Sequence, residues 1–100
     1  MSFTIVPSKR FLKAAKKYAR GRKDILVSAE EAIDLLSVHD GRSIYLLNER
    51  WKDHALKGDK KGIRELHLSM DDLLLYRIDH EESVVELLDI VNHEELRKKR

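Results

Sequence analysis

Cysteine is absent from the chain, and proline occurs once, at Pro7. Without thiols there is no disulfide framework, no thiolate nucleophile and no cysteine-ligated zinc. Glycine is scarce, at four residues. Gly58 and Gly62 stand in Lys57-Gly58-Asp59-Lys60-Lys61-Gly62, which lacks the spacing of a phosphate loop. No Gly-x-Ser-x-Gly elbow occurs. Long apolar runs are missing as well. Leu73–Tyr76 spans four residues, against the roughly 20 that a transmembrane helix needs. Met1-Ser2-Phe3 leads into Thr4-Ile5-Val6 with no basic or long apolar stretch, so no signal peptide is expected. The expected setting is the cytoplasm, without membrane contact.

What is present describes a small folded unit. The chain has 100 residues, 38% charged and 42% hydrophobic, which predicts one domain over 1–100. A domain of this size buries about 60–65% of its unfolded surface, so modest stability and reliance on a partner are expected. Net charge is +2, but it is unevenly placed. Residues 1–64 carry 15 basic and 8 acidic side chains, net +7, and residues 65–100 carry 5 and 10, net −5. Residues 1–23 hold 8 basic side chains and no acidic one. That asymmetry points to a polyanion or an acidic protein as partner.

The pattern along the chain predicts an α+β fold. Phe3–Val6 is aromatic and β-branched, as a strand should be. From Ser8, Phe11, Ala15, Tyr18 and Ala19 recur at helical spacing, with Gly21 as a left-handed stop. Asp24 is the expected cap of a second helix with the stripe Leu26, Ala29, Ile33 and Leu36; Ser28 and Glu31 offer a start one turn later. His39-Asp40-Gly41 ends it, giving a two-helix hairpin. Residues 42–61 read as mostly irregular, with Trp51 as a packing anchor. Strands are then expected at Ile63–Leu68, Leu73–Ile78 and Ser83–Val91, joined by polar breaks of hairpin length. They form a three-stranded antiparallel meander, followed by a short C-terminal helix or basic tail over His93–Arg100. Helices that run together, not alternating with strands, exclude a doubly wound α/β sheet.

The histidines carry the chemical signal. His39 and His80 fall at a helix end and in a turn, as exposed residues would. His54, His67 and His93 lie before, within and after the meander, where a sheet can bring them to one edge. They lack the local spacing of common zinc sites, so neither metal nor cofactor is expected. Imidazole titrates near pH 6.5, so one ring can accept a proton while another donates one. Lys52, Lys57, Lys60, Lys61, Arg64 and Arg77 are available to hold phosphates. RNA supplies its own nucleophile, the 2′-hydroxyl. A base, an acid and cations then suffice, which makes a metal-free ribonuclease chemically coherent.

Three segments carry a family resemblance: Lys52-Asp53-His54-Ala55-Leu56-Lys57-Gly58, Lys61-Gly62-Ile63-Arg64-Glu65-Leu66-His67, and Asp71 with Leu74-Leu75-Tyr76-Arg77-Ile78. Together with the Lys-rich Phe11–Lys17 face and a late histidine, they resemble the YafQ branch of the RelE toxin superfamily over 3–96. The resemblance implies a RelE-like, microbial-ribonuclease-like fold and a toxin of a bacterial type II toxin–antitoxin module that cuts mRNA on the ribosome. His54, His67, Asp71 and His93 then occupy the family's catalytic positions, as base, orienting group or, for His93, general acid. The implied partners are a cognate antitoxin, the ribosome and, through the antitoxin complex, operator DNA, with one toxin monomer in a hetero-oligomer. Three positions depart from the pattern. Asp72 stands where an aromatic is usual, Asp89 where the late run has arginine, and Arg97 where an aromatic follows the late histidine; either another cation, Arg77 or Arg97, replaces the arginine, or the toxin is a weakened or specialised one. The alternative is a non-catalytic member that binds gyrase, as ParE-type toxins do, or binds only antitoxin.

Overall fold

The computed structural model describes residues 2–56 and 62–98. Elements follow in the order β1 (Thr4–Pro7), α1 (Lys9–Ala19), α2 (Lys23–Val38), α3 (Gly41–Trp51), β2 (His54–Ala55), β3 (Arg64–His67), β4 (Asp72–Asp79), β5 (Val84–Asn92) and α4 (His93–Lys98). The five strands form one sheet in the order β1-β5-β4-β3-β2. The β3, β4 and β5 pairs are antiparallel, as the meander requires. β1 adds to β5 in parallel, and β2 adds to β3 in antiparallel, so the sheet is mixed.

Local chemistry explains the helix starts. Ser8 caps α1: its Oγ accepts from Phe11 N at 3.0 Å and donates to Leu88 O at 2.8 Å, tying the helix to β5. Asp40 caps α3 through a reciprocal box with Ser43, each side chain bonding the other's backbone N–H at 2.8 Å. That helix corrects the irregular reading of residues 42–61. Its apolar residues Ile44, Leu47 and Trp51 keep helical spacing, although Ile44 and Tyr45 point outward. Two further expectations are corrected. α1 ends at Ala19 with Gly21 and Arg22 N–H both bonded to Tyr18 O, and Gly21 does not take a left-handed conformation. α2 begins at Lys23, so Asp24 sits in its first turn, paired with Arg22, and does not cap it.

The buried stripe of α2 is Ile25, Ala29, Ala32 and Leu36, one position off the expected one at two places. Leu26 and Ile33 pack beside it, half-buried. With Phe11, Leu47 and Trp51 it covers Leu66, Leu74, Tyr76, Val85, Leu87 and Ile90 of the sheet. Trp51 is the anchor expected, its Nε1 donating to Ser28 Oγ at 3.0 Å. The other sheet face carries a smaller apolar cluster of Leu73, Leu75 and Val91, with Leu56, Ile63, Leu88 and Leu96 against it. β5 has a bulge where Leu75 and Tyr76 oppose Asp89 and Leu87, leaving Leu88 as the extra residue. Among the described residues, no helix is long and apolar enough to cross a membrane.

Candidate active site

Side chains alternate along a strand, so Glu65 and His67 of β3 share one face. That face is opposite the helix core, because Leu66 between them is buried in it. β2 pairs His54 with Glu65, and β4 pairs Leu73 with His67. His93 begins α4 directly after β5. The sheet therefore lays three imidazoles in a row. Ring centroids are 5.9 Å apart for His54 and His67, and 5.7 Å apart for His67 and His93. Asp71, in the β3–β4 turn, closes the row: its Oδ1 lies 3.2 Å from His93 Nδ1.

Each ring is held differently. His54 Nδ1 lies 2.7 Å from Lys52 O, which can only accept, so Nδ1 carries a proton. His54 Nε2 lies 2.7 Å from Glu65 Oε1, so the ring stands directly against that carboxylate. Glu65 is buried, and its Oε2 has no hydrogen-bond partner among the described residues. His67 has its pKa lowered, first by burial, with Glu65 opposing and His93, His54 and Lys52 reinforcing. It is neutral at neutral pH and able to accept a proton.

The structure brings together the four residues expected to be catalytic, His54, His67, Asp71 and His93. Glu65 is the residue that sequence reasoning missed, though its two-residue spacing from His67 was a usable signal. Lys52 is close enough to His67 to influence it. Arg64 is turned to the other face and paired with Asp53 at 3.1 Å and the Tyr76 hydroxyl at 3.2 Å. Arg77 is exposed and pairs with Glu86 at 3.5 Å. It stands four residues from Leu73, about 13 Å along the strand from the His67 row. Lys57, Lys60 and Lys61, and the side chain of Arg97, lie outside the described residues.

Two of the departures from the family pattern, Asp72 and Asp89, are buried carboxylates. Asp72 opens β4 and does not lie in a free polar turn. It accepts from Tyr18 Oη and from Ser69 Oγ, both at 2.7 Å, with Arg22 at 3.6 Å. Burial and this carboxylate hold the Tyr18 phenol protonated well above its usual range. Asp89 pairs across the sheet with Leu75, in line with His54 and Glu65, and accepts from Ile90 N at 2.8 Å.

One atom from each of His54, Glu65 and His67 lies within 4.8 Å of the others, a donor set that fits a transition-metal ion.

Comparison with known proteins agrees with this arrangement. The chain matches the family model for a bacterial toxin of type II toxin–antitoxin systems, YafQ, over residues 3–98. YafQ from Escherichia coli BL21(DE3) is 23% identical, with 94% of this chain and 97% of that chain covered at a TM-score of 0.78. The E. coli DinJ–YafQ toxin–antitoxin complex gives 24%, 96%, 98% and 0.77 in the same terms. A metal-bound toxin from Helicobacter pylori is 30% identical, with 94% and 98% covered and a TM-score of 0.68. No curated protein sequence matched. A family model that spans nearly the whole chain, and a fold that sets its motif residues side by side, place the protein in the YafQ family of bacterial type II toxin–antitoxin toxins.

Proposed function

We propose that this toxin is an endoribonuclease that cuts mRNA on the ribosome by acid–base catalysis without a resident metal. The observation that carries the reading is the row His54, His67 and His93, spaced 5.9 and 5.7 Å, with a carboxylate at each end. Neutral His67 takes the proton of the 2′-hydroxyl. The 2′-oxygen attacks phosphorus, and the bond to the 5′-oxygen breaks. His93, oriented by Asp71, gives a proton to that leaving oxygen. His54, held against Glu65, faces the crowded phosphorane with Lys52. The products are a 2′,3′-cyclic phosphate and a 5′-hydroxyl.

The basic face of α1 suits two polyanions in turn, ribosomal RNA and an acidic antitoxin segment. DinJ, which is bound to YafQ in the E. coli complex, supports a cognate antitoxin here too. Operator DNA is then reached through the toxin–antitoxin complex. Cleavage of a message on programmed ribosomes, with chelator present and ends mapped, tests the proposal. A discrete cut ending in a cyclic phosphate is expected. Folded, antitoxin-free protein that leaves the message intact would establish the non-catalytic alternative, toxicity by binding.

A further inference from the structure

Met70 is 96% exposed, in the turn between β3 and β4 and next to Asp71. No packing in the described fold uses it. Its position is nonetheless particular, because it stands between two open grooves. One, of about 460 Å³, is lined by His67, Trp51, Arg50, Lys52 and Glu31. The other, of about 630 Å³, is lined by Asp71, Tyr18, Lys17, Arg22 and Glu95. Ser69 and Met70 belong to both. The proton-transfer row crosses the same wall, with His67 on one side and Asp71 on the other.

A strand whose scissile phosphate sits on that row has one nucleotide on each side of the turn. The two bases cannot remain stacked through Met70. RNA is read by proteins mostly as unstacked bases, and apolar side chains are used to part base steps. A thioether on a flexible chain has favourable contacts with aromatic rings. The first groove sets Arg50 and Lys52, suited to a backbone phosphate, beside Glu31, and the second sets Lys17 and Arg22 among three carboxylates, Asp71, Asp72 and Glu95, able to accept from base amino groups.

We infer that Met70 is a wedge that parts the two nucleotides flanking the scissile phosphate and seats their bases in the two grooves. The inference rests on the ribonuclease reading and adds the positions that hold the substrate. The wedge is a positioning residue. It sets the bend that aligns the 2′-oxygen with the leaving oxygen.

Methionine occurs only at Met1 and Met70, so the protein labelled with ¹³C at the methionine methyls gives a two-signal spectrum. The probe is a trinucleotide with a 2′-deoxy sugar at the scissile position, titrated to millimolar concentration. The Met70 methyl is expected to move upfield as bases stack on it, and abasic sugars at the flanking positions to abolish the movement. Met70→Gly is expected to lower kcat on programmed ribosomes about tenfold, the size of one base-stacking contact. Its KM should change less, and Met70→Leu should restore the rate. A Met70 methyl that stays put while the protein cuts its message overturns the wedge and leaves the ribonuclease standing. A methyl shift in a protein that cuts nothing removes the ribonuclease and overturns the wedge with it, leaving RNA binding at the turn alone. Met70→Gly with native kcat also overturns the wedge.

Discussion

Glu65 Oε1 sits 2.7 Å from His54 Nε2, while the other oxygen of the same carboxylate is buried without a described partner. A buried, half-satisfied carboxylate costs stability that nothing else in the strand requires. It stands against the His54 ring. Glu65→Gln keeps the shape and removes the charge. The expected result is a fall in single-turnover cleavage on the order of 10²-fold or more with an unchanged circular dichroism spectrum. A folded Glu65→Gln protein that cuts at the native rate would remove the pair from the mechanism.

His67→Ala should lower cleavage by on the order of 10²–10⁴-fold, the usual contribution of a positioned acid or base. The pH profile gives a sharper test. Burial lowers the His67 pKa below 6.5, so the base stays free further into acid than an ordinary imidazole. The acidic limb of cleavage should therefore break below pH 6.5. A break above that value would contradict neutral His67 as the base.

Stability should follow the same sign. His39 is also lowered, first by burial and then by His80, whose ring centroid is 5.7 Å away. For both His39 and His67 the unfolded chain binds protons more readily than the folded one. Their stabilisation is complete above pH 6.5 and is lost as pH falls through the lowered folded values. The urea midpoint is expected to drop over that window. His39 is left-handed at φ 49°, so His39→Asn, which tolerates that conformation, should flatten the drop. A midpoint that rises on acidification would contradict the argument.

Asp72 takes the place of an aromatic, and the structure gives it a different task. It holds Tyr18 and Ser69, bracing the turn that presents Asp71. Asp72→Ala leaves a phenol and a hydroxyl unpaired and should cost about 1–3 kcal/mol in chemical unfolding. Tyr18→Phe should cost less, since one hydrogen bond is lost and Ser69 still holds the carboxylate. If Asp72→Ala were as stable as the native protein, the brace would have no structural weight.

A divalent transition ion and a proton compete for the same three donors, His54, Glu65 and His67. Zinc added to active protein should inhibit cleavage, and chelator should restore it. His54→Ala should weaken zinc binding in calorimetry. Zinc that binds with equal affinity to this variant is held elsewhere.

Much of this was legible from residue types and spacing. The meander showed itself in the polar breaks between apolar runs, and His54, His67 and His93 were separable from His39 and His80 by chain position alone. α3 was hidden because its outward Ile44 and Tyr45 blur the apolar stripe. The cap Asp40 with Ser43 was its clearest mark. Glu65 was hidden for another reason. A charged residue in a strand normally faces water, and its place against His54 emerges only once β2 pairs with β3. The turned-away Arg64 follows from alternation once Leu66 is known to face the helices.

The parallel contact of β1 with β5 joins Thr4 to Val84, and Ser8 bonds to Leu88 across 80 positions. During synthesis β1 must therefore wait for β5, 80 positions later. Pairing so distant places the loop-closure cost late in folding. His93 follows immediately after β5. A chain that stops short of β5 has neither the parallel partner of β1 nor the third imidazole of the row.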